Sequence, residues 1–489
     1  MTTRRFSLLI PTIFCVSCTI GPKYQKLVVP APPAFKEFAG NEEWKTASPS
    51  DDLLKGKWWE IFNDPQLNAL EERITSSNFT IKQLEAQFRL SRALVLSAHA
   101  NYYPTIGSAP SIQQSDNRLG PGSNFQLPFT ASWVPDLWGR VRLAVEAATA
   151  NAQVSAADLE NARLTLQATL AVDYFNLQGT DMQIALLEQT IDAYQRNLTL
   201  TQNRYAGGVA ARSDVTLAQT QLFTTQSTAT DLRSNRGTLE HAIAVITGQA
   251  PAELTIPPGK INAAPPTIPV AVPSVLLERR PDIAAQERLI AAANANIGIA
   301  QAAYYPTLSL SATAGLANSN LGKLLTWGSR VWSAGPVISQ TLFDFGRRNA
   351  NVLVSEASYD ASVAAYRETV LVAFEQVEDN LNTMKVLAQE SEELARAVAA
   401  AETSLQLELD RYRAGTESYL NVITTQTITL NDERTQVVLL QRRMVSAVDL
   451  VMALGGGWDS STLPTGDQIR SNGMGDPAYT QKVAQPVTH

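Results

Sequence analysis

The sequence is poor in the residues that most often announce chemistry. Of its 489 residues only two are Cys, at Cys15 and Cys18, and three are His, at His99, His241 and His489. A disulfide scaffold is excluded, and the His residues stand too far apart for a zinc site built by local spacing. No HExxH, GxSxG, phosphate-loop or dinucleotide glycine motif occurs, so nothing calls for an enzyme, a cofactor or a metal. Charge is scarce as well, at 17% of residues, against the usual quarter. The net charge of −7 and the lack of any Lys/Arg run exclude nucleic acid as the main partner. No stretch of eighteen apolar residues exists to form a membrane helix. A chain with so few charges and no membrane helix must hide its surface from water in another way.

The first segment reads as an export signal. Arg4 and Arg5 precede the apolar run Phe6 to Phe14, then Ser17 and Cys18. Removal of residues 1–17 would leave Cys18 at the new N-terminus, as a bacterial lipoprotein requires, with its thiol and amine free for acylation. Several acyl chains anchor far more firmly than one, at about 0.8 kcal/mol per buried CH₂. The position three before Cys18 is Cys15, where such signals usually carry Leu. Thr19 rather than Asp follows Cys18, which fits retention in the outer membrane. Processing would take the net charge from −7 to −9, since Arg4 and Arg5 are the only charges lost.

The chain contains itself twice. Ala100-Asn-Tyr-Tyr-Pro-Thr-Ile106 returns as Ala302-Ala-Tyr-Tyr-Pro-Thr-Leu308, an offset of 202. The offset then settles at 207: Asp136-Leu-Trp138-Gly139-Arg140 returns as Phe343-Asp344-Phe345-Gly346-Arg347, and Arg204-Tyr205 with Gly208 returns as Arg411-Tyr412 with Gly415. Asp214-Val215 with Gln219 meets Asn421-Val422 with Gln426 at the same spacing. Between the halves, residues 251–281 hold eight prolines, too many for a helix or a central strand.

Periodicity gives both halves one plan. An N-terminal segment (18–77) precedes a first repeat (78–250) with strands within 105–133, a long helix at 139–206 and a return helix at 213–247. A Pro-rich linker (251–279) leads to a second repeat (280–454) with strands within 307–341, a long helix at 346–413 and a return helix at 418–453. A tail (455–489), rich in Gly, Pro, Ser and Thr, is expected to be partly disordered. A helix of 68 residues is about 100 Å long, beyond any ordinary globular core. Small apolar residues recur along it at heptad-like spacing, as at Ala148, Ala152, Ser155, Leu159, Ala162 and Leu166. Asp136 and Asp344 sit where they would cap the long helices beside Gly139 and Gly346, and Gly208 and Gly415 suit the turns that end them.

The short segments between the helices alternate. Phe125, Leu127, Phe129, Ala131 and Trp133 alternate with mostly small or polar residues, and Trp332, Ala334, Pro336 and Ile338 repeat the phase 207 residues on. Such strands could line a soluble sandwich or cross a membrane with their apolar side toward lipid. Four strands per chain cannot cross alone, because open edges would leave backbone groups unpaired in hydrocarbon. Closure therefore needs several copies. Three would give twelve strands around a lumen too wide for side chains to fill.

These residues are where a family resemblance becomes close. The chain resembles the TolC-like outer-membrane factors, in particular the lipoprotein branch that partners resistance-nodulation-division pumps. The resemblance rests on Cys18-Thr-Ile-Gly-Pro-Lys-Tyr24, the run LLERRPDIAAQERLIAAANANIGIAQAAYYPTLSL at 276–310, the strand exits at Trp138-Gly139-Arg140 and Phe345-Gly346-Arg347, Arg411-Tyr412 with Gly415, and Leu454-Gly-Gly-Gly-Trp458. It implies a mainly α fold with a membrane β-barrel part: one tandem-repeat protomer of a trimeric, twelve-stranded outer-membrane barrel continuous with a periplasmic helical barrel. Phe125, Leu127, Phe129, Trp133, Trp332 and Ile338 would then face outer-membrane lipid. An equatorial belt would involve both termini and mid-helix irregularities around 385–400. The turns at 206–213 and 413–419 would form a periplasmic tip that docks a membrane-fusion adaptor and closes at rest. Leu420 matches the apolar ring of the family's gate, but Thr424 stands where an acidic residue is usual. Asp214 could supply charge nearby or merely cap its helix. The implied function is a passive efflux duct working with an inner-membrane pump. A channel for type I protein secretion shares the architecture, and a lipid-anchored coiled-coil structural protein would share the helices but not the strands.

Overall fold

The structure, a computed structural model, describes residues 20–27, 29–37, 56–117, 120–262, 264–266, 268 and 278–471. Cys15, Cys18 and the rest of the expected signal lie outside the described residues.

Each helix begins where its sequence can satisfy free backbone N–H groups. Helix α1 (Pro65–Ser77) starts at Asp64, whose carboxylate accepts from Gln66 N at 2.9 Å and Leu67 N at 3.2 Å. Helix α2 (Phe79–Ala100) starts at Asn78, whose side chain accepts from Ile81 N at 3.0 Å. Strands β1 (Thr105–Ser108), β2 (Ser111–Asn117) and β3 (Gly120–Trp133) follow, then the 67-residue helix α3 (Arg140–Ala206) and its return α4 (Arg212–Ile246). The second repeat runs α5 (Pro281–Ala302), β4 (Thr307–Asn318), β5 (Arg330–Ser339), the 68-residue α6 (Arg347–Ala414) and α7 (Tyr419–Ala453). A short helix α8 (Gly466–Ser471) ends the described chain.

The sheet is antiparallel in the order β1-β3-β4-β5, with β2 also on β3. By hydrogen bonding that makes five strands, where four were expected. The register explains the difference: Ser108 faces Phe129 and Ser111 faces Gln126, so no residue is inserted between β1 and β2. Pro110 and Pro128 fall in the gap, and neither has an N–H to carry the ladder. β1 and β2 therefore follow one path, and the chain supplies four. All four helix connections leave the same end of the sheet.

Helix α3 packs along α2 and α4 of its own repeat and along α5 and α7 of the second, whereas α6 packs along α5 and α7. The consequence is unequal burial of two helices of nearly equal length. α3 buries 25 residues and α6 only nine, so one flank of α6 stays open. The main core lies midway along the long helices, where Trp58, Phe62, Leu67 and Ile74 meet Tyr174, Phe175, Val370 and Leu450. Tyr174 Oη donates to Asp64 Oδ2 at 2.8 Å, tying α3 to the cap of α1. Lys36 N and Glu37 N donate to the Glu378 carboxylate at 2.7 and 3.0 Å, which ties the N-terminal segment to α6.

One expectation is corrected here. α6 continues without a break through 385–400, where a mid-helix irregularity was expected. The described part of the tail carries a 3-10 turn at Ser460–Thr462 that leads into α8, whose Ile469 is buried beside Val95 and Ala152. Residues 472–489 lie outside the described residues.

The belt also buries one unpaired acid. Glu71 on α1 is fully buried and neither carboxylate oxygen has a hydrogen-bond partner, so burial pushes it well above the usual carboxylate range. The folded chain then holds this proton at pH values where the unfolded chain releases it. Stability from this group is lost as pH rises above about 4.3 toward the raised folded value. Glu71→Gln is expected to raise the thermal midpoint at pH 7.5 by a few degrees, with a smaller gain at pH 5. An equal gain at both pH values would show that ionisation is not the cause.

Candidate functional site

The strand register sorts side chains onto two unlike faces. Phe129, Ala314 and Trp332 form one row, Ala131, Ala312 and Ala334 the next, and Trp133, Leu310 and Pro336 the third. Leu127 pairs with Leu316, Leu308 with Ile338, and Phe125 with Ile112 and Asn318. The opposite face has Thr130, Thr313 and Ser333 in one row and Ser132, Ser311 and Gly335 in another. On the apolar face Trp332 is 81% exposed, Ile338 72% and Phe129 56%, while Phe125, Leu127 and Trp133 are half-buried. So much aromatic and aliphatic surface on one side of a thin sheet marks a face that meets a partner or a membrane. The face ends at Arg330, which stacks on the Trp327 ring and donates from Nε to Trp327 O at 2.9 Å. An aromatic residue beside a long cation at the end of a strand fits the edge of a hydrocarbon layer.

At the other end of the sheet the strands pass into the long helices. Asp136 accepts from Val141 N at 3.1 Å and Arg142 N at 2.9 Å, and Asp344 accepts from Gly346 N and Arg348 N, both at 3.2 Å. Gly139 (φ 81°) and Gly346 (φ 85°) supply the left-handed residue that turns each strand exit into its helix. Trp138 Nε1 donates to Pro306 O at 2.7 Å, and its ring lies 5.0 Å from that of Tyr305, joining the two repeats. The repeat-mates of this pair, Phe345 and Tyr103, are 91% and 62% exposed. Phe345 even adopts a left-handed φ of 53°, an unusual state for an aromatic residue. Sequence reasoning noted the repeat of Trp138 as Phe345 but not that one is covered and the other open.

The far end of the helices is a pair of glycine turns. Gly208 (φ 73°) and Gly415 (φ 80°) let the chain reverse, and Arg204 O and Arg411 O each accept N–H groups from the turn that follows. The Asp214 carboxylate accepts from Ala211 N at 3.3 Å, so it serves the start of α4. Tyr194, Leu198 and Leu222 from the first repeat pack with Tyr412, Tyr419 and Val422 from the second. Burial in this cluster pushes the Tyr419 phenol up to about 12. Leu420 points away from the cluster and is 58% exposed, and Thr424 returns its hydroxyl to Leu420 O at 3.0 Å. Sequence reasoning did not single out the clamp beside them: Arg204 stacks 4.5 Å over the Tyr412 ring and donates from Nη1 to Tyr412 O at 2.7 Å. Its only sequence signal is the recurrence of Arg-Tyr.

No helix among the described residues is long and apolar enough to cross a membrane. A two-faced sheet raised on two helices about 100 Å long, each reversing at a glycine turn, is the architecture of a helical outer-membrane channel protomer and not of an ordinary globule. The chain belongs to the outer membrane efflux protein family, whose family model matches residues 70–249 and 272–457. It is similar to the outer membrane protein OprJ of Pseudomonas aeruginosa, 29% identical over 93% of this chain and 96% of that one. It is also similar to the cation efflux system protein CusC of Escherichia coli, 27% identical over 91% and 98%. The solved structure of the outer-membrane channel OprN superposes with a TM-score of 0.82 at 30% identity, covering 90% of this chain and all of that one. The protein is thus an outer-membrane efflux channel that extends into the periplasm, of a family of ducts and not of catalysts.

Proposed function

We propose that three copies of this chain close into one gated exit duct of a tripartite multidrug and solute efflux system. One observation carries the reading: the surfaces that join repeat one to repeat two inside the chain recur, uncovered, on its outer flanks. α3 packs on α5 and α7, while its mate α6 lacks the corresponding neighbours. Trp138 is covered by Tyr305, while Phe345 and Tyr103 stand open. Joining the second repeat of one copy to the first repeat of the next covers both, and repeating that head-to-tail step closes a ring. It also pairs the free edge of β5 with that of β1 and β2, as a sheet in hydrocarbon requires. Four strand paths from each of three copies make twelve, with Phe125, Leu127, Phe129, Trp133, Trp332 and Ile338 toward lipid and Thr130, Thr313 and Ser333 toward a wet lumen.

Anchorage fits the same picture. Ile20 N donates to Trp138 O at 3.3 Å, which holds the start of the mature chain at the junction of sheet and helices. Cys18, two residues earlier in the sequence, is the acylated residue in this reading. The tip around Gly208 and Gly415 docks a periplasmic adaptor, through which an inner-membrane resistance-nodulation-division pump drives opening. Solute then leaves by diffusion, and no residue acts as a catalyst. At the gate Leu420 supplies an apolar ring, while Thr424 and Asp214 are engaged with their own backbones, so packing and not a carboxylate ring holds the tip shut. Leu420→Ser is expected to raise open probability in planar bilayers several-fold, and an unchanged record would remove Leu420 from the gate. The function is tested in cells lacking this chain, which should accumulate a fluorescent efflux substrate until the chain is restored. Normal accumulation together with loss of a type I secreted protein would assign it to secretion.

A further inference from the structure

The motif Leu454-Gly-Gly-Gly-Trp458 has no part in the strands, the gate or the tip. Gly455, Gly456 and Gly457 all take left-handed φ values, 91°, 57° and 84°, a run that glycine alone sustains. They fold the chain leaving α7 back onto α3, where Gly456 lies too close to Leu164 for any side chain. The turn and Trp458 close one side of a cavity of about 1040 Å³, whose other walls come from α1, α2, α3 and the 3-10 turn at Trp58–Phe62. Trp59 and Phe88 join Trp458 in lining it. Its polar groups are unbalanced toward donors. Trp59 Nε1, Arg92 Nε and Arg163 Nε are all buried without an acceptor, and no buried side-chain acceptor among the lining residues is left over to meet them. The acids at the cavity are already engaged: the Glu160 carboxylate accepts from Arg163 Nη1 at 2.8 and 3.0 Å, and Glu72 is paired with Lys57. Arg92 has no ion pair among the described residues and lies over the Phe88 ring, 5.9 Å from its centre.

We infer that this cavity binds an organic monoanion, a single carboxylate carried on a flat and largely apolar ring body. After the ion pairs are counted, the charge of Arg92 is the one left over, and one carboxylate matches it. A carboxylate is also acceptor-only, so it can serve the orphan N–H groups of Arg92 and Arg163 with the strong, charge-assisted bonds that guanidinium groups make. The three aromatic walls offer flat faces on which a ring can stack. A lipid held in the bilayer does not reach the site, because the stretch of α3 that lines it begins at Ala156, about 24 Å along the helix from the strand exit at Arg140. The bound anion joins Arg92 on α2 to Arg163 on α3 beneath the glycine turn that follows α7. Occupancy therefore holds together segments that are far apart in the chain, and it does so well away from the turns at Gly208 and Gly415.

The test uses the full-length protein, extracted in its native oligomeric state into lipid nanodiscs and titrated calorimetrically with 2-naphthoate and with its neutral counterpart 2-naphthalenemethanol. One naphthoate per chain is expected, bound about tenfold or more tightly than the alcohol because only the anion makes charge-assisted bonds. Arg92→Met should remove that preference and leave the weak uptake of the alcohol unchanged, which shows that the cavity itself is intact. Trp458→Ala should weaken both probes alike, by about fivefold, through loss of a stacking face. Naphthoate should also raise the thermal midpoint of the wild-type protein and not that of Arg92→Met. Equal binding of the two probes, or a preference for the anion that survives Arg92→Met, would overturn the site. Failure of the wild-type protein to bind either probe would overturn it as well, and would show that water or another part of the assembly fills the cavity.

Discussion

Replacing Phe129 with Arg is expected to abolish assembly in the outer membrane, while Thr130→Arg, one residue along, leaves it intact. Phe129 lies near the middle of the paired part of β3, in a row with Ala314 and Trp332 on the apolar face. An Arg at the midplane of a lipid-facing strand costs about 2–4 kcal/mol. Three copies would raise that to roughly 6–12 kcal/mol per assembly, comparable to the whole stability of a typical domain. Thr130 shares its row with Thr313 and Ser333, where water can solvate a new guanidinium. Membrane fractionation and the yield of trimer report the difference. Equal loss from both variants would mean that the two faces are not distinguished by lipid and water.

Gly455→Val should be as damaging for a reason unrelated to the membrane. Gly455 has φ 91°, and a Cβ there would lie 2.1 Å from Arg279 O and 2.7 Å from Arg279 C. Both contacts are with backbone, so no side chain can swing aside. The neighbourhood is pinned as well, because Arg280 Nη1 donates to Ala453 O at 3.1 Å and its Nη2 is ion-paired with Asp282 at 2.6 Å. The expected cost is about 4 kcal/mol or more, the range reached by a steric conflict that cannot relax. Gly346→Ala supplies the contrast. Its φ of 85° is equally left-handed, but a Cβ there meets nothing within 4 Å, so only the conformational penalty of about 1–2 kcal/mol remains. Thermal melting of the purified protein should therefore find Gly346→Ala folded and Gly455→Val unfolded or absent. Similar melting of the two would show that the approach to Arg279 does not constrain the fold.

Much of this architecture can be read in the sequence because its signals are local and come twice. Period-2 alternation around Phe129 and Trp332 marks the strands, and the heptad-like small residues from Ala148 to Leu166 mark a helix that packs along its length. The stretch expected to be helical at 139–206 is a helix over Arg140–Ala206, and its mate at 346–413 one over Arg347–Ala414. What the sequence hides depends on partners far away in the chain. The gap between β1 and β2 depends on Pro110 falling opposite Leu127 and Pro128 opposite Ala109, which only the register reveals. The position of α8 depends on Ile469 finding Val95 and Ala152, more than 300 residues earlier. Glu71 resembles any helical surface acid until α1 is folded into the belt. Repeat landmarks show that Arg204 and Arg411 are equivalent, but not that one is engaged and the other open.

The central claim is that several copies close into one water-filled tube, and single-channel recording tests it most directly. Full-length chain purified from outer membranes and fused into planar bilayers should give discrete, uniform conductance steps, with a low open probability in wild type and a raised one in Leu420→Ser. A correctly folded trimer that inserts yet passes no current under any voltage would contradict the account.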